Sequence, residues 1–140
     1  MVSRFKIAPL DVAQIERAYV VARAAMPCLT LASWRHASSN SERRNFIVAV
    51  DINDHVRGLC HTRIENHPIA GRLFDIAIFI VVSPLHEQEI AAKLFAMVRK
   101  QAIDASCKYL RVWTLRPENW SLLDDREFRH RWDHGSIHPL

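Results

Sequence analysis

The stretch IAIFIVVSPLHEQEIAAKLFAMV, residues 76–98, decides the fold. An unbroken apolar run from Ile76 to Val82 stops at Ser83-Pro84, and a helical pattern follows at once. A run this rich in Ile and Val reads as a strand covered on both faces. Ser83 is a good N-cap and Pro84 suits the first helical position, so a helix is predicted over 83–105. Ile90, Leu94, Met97 and Val98 recur at helical spacing and mark its buried face. A buried strand feeding a helix N-terminus is a common place to hold a phosphate. Here the turn has no glycine, and Glu87 and Glu89 stand in the first turns of the helix.

Working towards the N-terminus, Arg72 to Val82 is the long central strand, preceded by a turn at Asn66 to Gly71. Val56 to Glu65 and Phe46 to Val50 read as a hairpin around the turn-rich DIND at 51–54. Phe5 to Pro9 is a further short strand. Asp11 and Gln14 have the spacing of a capping box, and Val12, Ile15, Tyr19, Ala22 and Met26 give the following helix an apolar face. Pro27 marks its end. A short helix around Leu31 to His36 precedes a polar loop, SSNSERR. Towards the C-terminus, Tyr109 to Leu115 alternates like a strand. Asn119 to Asp125 reads as one or two helical turns, and Phe128 to Trp132 as a last short strand. The predicted order is β-α-(α)-β-β-β-α-β-α-β: an α/β fold with a mixed sheet and helices on its faces. Residues 1–140 read as a single domain, with 129–140 an irregular C-terminal tail.

Composition narrows the class. At 49% hydrophobic residues over 140 positions, a globular core is expected rather than disorder. The longest apolar run is far too short to span a bilayer, and MVSRFKIAPLD lacks the apolar core of a signal peptide. A cytoplasmic location without membrane attachment is the resulting expectation. The three cysteines, Cys28, Cys60 and Cys107, are odd in number and never at CxxC spacing, so they read as reduced thiols. The net charge of +4 is mild and no basic stripe carries interleaved aromatics, so no nucleic-acid partner is expected. Such a charge suits an anionic small ligand such as a coenzyme.

The element order and its punctuation resemble the GNAT superfamily of acyl-CoA-dependent N-acyltransferases over about residues 5–128. VAVDINDHVRGLC, ending near Gly58, resembles the family's strand-turn-strand. IFIVVSP resembles its strand ending in Val-x-Pro, with Val82 and Pro84 in those places. DASCKYLRVWTLRPENWSLLDDREF resembles the stretch leading through a strand to an Asn and a Gly-Phe pair, matched here by Asn119 and Phe128. The resemblance implies a GNAT-like fold and acetyl-CoA as cofactor, with no metal. It implies direct acyl transfer to the amine of a small molecule or peptide. It places the pantetheine arm along the backbone near Ile80 and Val82. The pyrophosphate would lie on the turn and helix start formed by His86, Glu87, Gln88, Glu89, Ile90 and Ala91.

The chain departs from the family pattern at that turn. His86 stands at the Arg/Gln position, Glu89 at the first Gly and Ala91 at the final Gly/Ala, and only Ala91 conforms. A carboxylate about 5 Å from a phosphate oxygen costs on the order of 3 kcal/mol at an effective dielectric near 20. Glu87 and Glu89 also suit the helix N-terminus with no ligand present. Glu127 replaces the Gly of the Gly-Phe pair, and no Tyr follows Tyr109 to protonate a leaving thiolate.

Other polar residues have weaker patterns. Glu65 and Asp75 are the candidates for a base that takes the amine proton, although each also reads as a surface or strand-end charge. His130, Asp133, His134 and His138 have spacings at which a metal is conceivable, but Gly135 and Pro139 break any continuous helix presenting them. His61 and His67 read as surface residues, and Trp34 as packing. Two functions follow. One is an acyl-CoA-dependent N-acetyltransferase with an eroded pyrophosphate loop and weakened activity. The other is a noncatalytic binding or dimerisation module that no longer binds CoA, for which a homodimer is expected. A third class is a protein that takes another small anion through His86, Lys93 or Arg72.

Overall fold

The computed structural model describes residues 4–39, 41–113, 116–131 and 133–140. Six strands form one sheet in the order β1 (Phe5–Pro9), β2 (Phe46–Asp51), β3 (Val56–His67), β4 (Gly71–Val81), β5 (Tyr109–Val112) and β6 (Ser136–Pro139). All neighbours are antiparallel except β4 and β5, which are parallel. The parallel pair is joined by the 18-residue helix α3 (Glu87–Asp104), since parallel neighbours need a long crossover. Helices α1 (Ile15–Ala25) and α2 (Leu31–Ser38) precede β2, and the short α4 (Arg126–Arg129) precedes β6. The expected order and mixed sheet are both present.

Two apolar layers cover the sheet. On one face α1, α2 and Trp120 pack over Phe46, Val48, Leu59, Ile78 and Ile80. On the other, Ile90, Leu94, Val98 and Ala102 of α3 pack over Ile47, Ala49, Cys60, Phe74, Ile76 and Leu110. Ile90, Leu94 and Val98 are all fully buried, as their spacing predicts. Gly58 lets α3 approach this closely: a Cβ there would lie 2.7 Å from Cδ1 of Leu94 and 3.1 Å from Cγ2 of Ile90.

Local sequence accounts for the ends of elements. Asp11 and Gln14 form the expected capping box, although Val12–Gln14 is a 3-10 turn and Val12 is exposed. The Thr30 side chain accepts a hydrogen bond from the Ser33 amide and starts α2. Three boundaries differ from expectation. The helix after the central strand starts at Glu87, with His86 as its cap, and not at Ser83-Pro84. Pro84 to His86 form a turn, and the first helical bond runs from the Ile90 amide to the His86 carbonyl. Burial of Ile90 and Leu94 sets that start. The last strand lies at Ser136–Pro139 and not at Phe128 to Trp132, where Phe128 and Arg129 belong to the helix Arg126–Arg129. Trp132 falls outside the described residues, as do Thr114 and Leu115 of the expected fifth strand. Gly135, at φ +60°, makes the last strand possible: a Cβ there would lie 2.0 Å from the Val112 carbonyl oxygen.

Candidate functional site at the opening between β4 and β5

β4 carries a bulge that shapes the site. His61 pairs with Ile78 and Thr62 with Ile76, so Ala77 is the extra residue. The same point ends the pairing with β5, whose last register partner is Ile76 opposite Val112. A bulge bends and twists its strand, and beyond Ala77 β4 leaves β5.

The bulge also switches which residues turn their backbone to each neighbour. Before it, Arg72 and Ile76 offer their carbonyls to the β5 side, to the amides of Lys108 and Trp113. After it, the Val82 amide donates to the Arg57 carbonyl of β3 at 2.8 Å. Backbone direction alternates along a strand, so Ile80 and Val82 face β3, and Phe79 and Val81 face the opening. Ile80 and Val82, near which the resemblance puts the pantetheine arm, thus turn their own backbone groups to β3, while those of Phe79 and Val81 turn to the opening.

The start of α3 is reached through the turn at 84–86. Its first amides, on Glu87, Gln88 and Glu89, precede the first helical hydrogen bond. Glu89 turns towards side chains of its own chain: its carboxylate lies 3.5 Å from Nζ of Lys93 and 3.7 Å from Nδ1 of His86. The His86 ring packs edge-on against Phe5, and Lys93 lies over the same ring. Glu87 and Gln88 are exposed, Ala91 is half-buried and Ile90 is core. Arg72 is remote from this group, its Nε donating to the Ala105 carbonyl at the other end of α3. Of His86, Lys93 and Arg72, the alternatives for holding an anion, His86 and Lys93 thus lie beside Phe5 and Arg72 lies at the far end of α3.

On the β5 side, Asn119 lines a recess of about 390 Å³ with Trp113, Arg116, Phe128, Arg131 and His134. His134 stacks on the Trp113 indole at 4.6 Å between centroids, and its Nε2 lies 2.8 Å from the Phe128 carbonyl. Asp133 pairs with Arg131, which holds its carboxyl below the usual range. Among the described residues, no group of three His, Cys, Asp or Glu side chains is placed to hold a metal. No helix among them is long and apolar enough to cross a membrane.

The two candidate bases are inside the protein and already committed. Asp75 accepts from Nε and Nη2 of Arg111, at 2.9 and 2.7 Å, and from Nε1 of Trp113 at 2.6 Å. Glu65 is bound to Nε of Arg129 and lies 3.5 Å from Nε2 of His130. Neither is the surface or strand-end charge expected, because the segment at 123–131 covers this end of the sheet. His61 is likewise buried rather than on the surface. Its signal was present: it shares a strand face with Leu59, on a central strand covered by helices. Trp34 is fully buried and donates to the Ile15 carbonyl, as packing predicts.

No family model and no curated protein matches the sequence. Solved structures do match over its whole length. The NatC complex bound to Gag peptide and CoA matches 99% of this chain and 99% of that one, with TM-score 0.63 and 17% identity. The aminoglycoside N-acetyltransferase AAC(6')-Iy in complex with CoA matches 100% and 95%, with TM-score 0.66 and 13% identity. The chain has the GNAT fold. An agmatine N-acetyltransferase matches 87% of this chain and 81% of that one, with TM-score 0.60 and 10% identity. Within the GNAT fold, the turn after β4 here has no glycine, the first turn of α3 carries Glu87 and Glu89, and the base candidates on β3 and β4 are held in ion pairs.

Proposed function

We propose that the chain is an acyl-CoA-binding GNAT domain of the N-acetyltransferase kind, which holds its coenzyme chiefly by the pantetheine arm. The bulge at Ala77 carries this reading, because it turns the N–H and C=O groups of Phe79 and Val81 into the space that β5 vacates. An extended chain of two amides can add to such an edge as a short strand would. Asn119 supplies a side-chain amide on the far side. The first amides of α3 offer donors to the pyrophosphate, and the Lys93 ammonium offsets part of the charge of Glu89. The bound coenzyme supplies a thioester carbonyl for direct attack by the amine of a small molecule or peptide. Asp75 and Glu65 do not take that amine's proton; bound water is the remaining acceptor.

A second reading has its own support. With Asp75 and Glu65 committed and no glycine at the turn, the domain is a noncatalytic GNAT module that has lost CoA. Calorimetric titration of the full chain with acetyl-CoA, CoA and pantetheine separates the two. Micromolar CoA binding, with pantetheine retaining most of the binding free energy, supports the first. No heat at millimolar coenzyme retires it and leaves the second.

A further inference from the structure

We propose that the recess between the turns at 51–54 and 83–86 docks an apolar segment of a partner protein that also carries carboxylates. This recess, of about 310 Å³, lies on the β1 side of the turn that leads into α3. Phe79, Val81 and Asn119, which mark the coenzyme opening, do not line it. Phe5, 7% exposed, forms its base. Ile52 comes to it from one turn, and Pro84 and Leu85 from the other. Leu85 at 87% and Ile52 at 81% are the most exposed large apolar side chains among the described residues. Apolar residues scattered singly on a surface are ordinary, but a group of them around one recess marks a contact surface.

Both turns are held in place, so this exposure is not that of a loose loop. At 51–54 the Asp51 carboxylate accepts from the Asn53 and His55 amides at 2.8 and 3.0 Å, and Arg17 donates to the Asp54 carbonyl at 2.7 Å. At 83–86 the preceding Val82 amide is fixed on the Arg57 carbonyl, and the His86 ring packs against Phe5. A surface whose backbone is already ordered binds without the cost of ordering it. The occupant extends beyond the recess, because side chains that project this far are covered only by a surface lying over them. A segment of protein chain does this, and a small molecule held in the recess does not.

Two guanidiniums line the recess beside the apolar group. Arg57 is 39% exposed, and its Nε donates to Asp51 at 3.0 Å. Arg4 is exposed, with Nη1 3.5 Å from Nε2 of His86. Asp51 also lines the recess, but its side chain is 14% exposed and both its oxygens accept from its own turn or from Arg57. The charge offered beside the apolar residues is therefore positive, which selects carboxylates on the partner. Asp54 and Glu87 are exposed and do not line the recess. A flat anionic membrane would meet these acids together with the arginines, whereas a peptide places its carboxylates at Arg4 and Arg57 alone. A second copy of this chain would bring like charges together around a two-fold axis.

The test is selection from a random peptide library on the full chain, with the double variant Ile52→Ser, Leu85→Ser as the counter-selection surface. Both positions are exposed, so the variant should melt with the parent. Selected peptides are expected to combine apolar residues with Asp or Glu and to shift the amide resonances of Ile52 and Leu85. In calorimetry the double variant should weaken them about tenfold, and Arg4→Glu about fivefold. If the double variant melts early, Leu85→Asp alone, which sets a carboxylate against the partner's, gives the same reading. Failure to select any peptide that distinguishes parent from variant overturns the site, and selected peptides rich in Lys or Arg overturn the charge preference. A dimer of the parent that the double variant abolishes would assign the surface to a second copy. Binding to phosphatidylserine vesicles that the same variant abolishes would assign it to a membrane. Either result overturns the proposal.

Discussion

Arg111 and Asp75 face each other across β4 and β5 as a two-point ion pair that is almost wholly excluded from solvent. Their side chains are 0% and 2% exposed. The guanidinium reaches further, donating to the carbonyls of Arg129 and Arg131 at 2.7 Å each. The pair thereby ties the segment before β6 to the sheet, just below the point where β4 and β5 part. Removing one partner strands the other charge in the core. Asp75→Asn or Arg111→Met should each cost about 3–5 kcal/mol. The double change Asp75→Leu with Arg111→Met should cost clearly less than the sum. Urea unfolding of the four proteins measures this, and additive costs would mean that the two residues do not act as a pair.

That pair shows what the sequence concealed. In YLRVW, Arg111 looks like the wet position of an alternating strand, and Asp75 interrupts an otherwise apolar run. Both faces of this sheet are covered, so alternation does not separate inside from outside here. The same holds for Glu65 and His61, polar residues of β3 that are buried. β4 and α3 were legible because Ile76 to Val82 and Ile90, Leu94 and Val98 have strong periodicity. The bulge at Ala77 was not, because an extra alanine in an apolar run leaves no compositional mark. The last strand depended on the backbone at Gly135, which pattern alone does not reveal.

The switch in backbone direction at Ala77 separates two neighbouring prolines. Val82→Pro deletes the amide that bonds the Arg57 carbonyl and should cost about 1–3 kcal/mol of stability. Val81→Pro deletes an amide that faces the opening, so the β3 ladder survives and stability should change little. On the acyl-CoA reading, Val81→Pro should nonetheless weaken pantetheine binding about tenfold. Thermal melts and calorimetry on both variants read this out. Equal loss of stability in the two would place the alternation wrongly.

His61 gives stability a specific pH dependence. Burial lowers it from 6.5 to about 3, with Arg63 and Arg129 adding to the shift and Asp124 opposing it. The unfolded chain binds a proton at this site below about pH 6.5, while the folded protein does not until near pH 3. Stability should therefore fall as pH drops through that window, by up to about 1.4 kcal/mol per unit, and level off below it. His61→Phe should flatten this component. Unfolding free energies of both proteins from pH 7 to 4 measure the difference, and parallel curves would mean that His61 titrates normally.

Gly58 seats α3. The atoms a Cβ would meet, 2.7 Å away on Leu94 and 3.1 Å away on Ile90, belong to fully buried side chains with nowhere to move. Gly58→Ala should cost about 1–3 kcal/mol through overpacking. Adding Leu94→Ala should cost less in this background than in the parent chain. Denaturation midpoints of the cycle decide it, and additive effects would remove the contact.

Glu89 tests how far local cations shield the start of α3. An unshielded carboxylate about 5 Å from a phosphate would oppose binding by about 3 kcal/mol, or more than a hundredfold. With the Lys93 ammonium at 3.5 Å, part of that field is cancelled. Glu89→Gln should then improve CoA affinity by less than about tenfold and leave pantetheine affinity unchanged. Titration of the parent and the variant with both ligands measures it. A hundredfold gain for CoA would show the charge to be unshielded. Identical CoA affinities would place the pyrophosphate away from α3 altogether, leaving the edge of β4 as the whole of the coenzyme's grip.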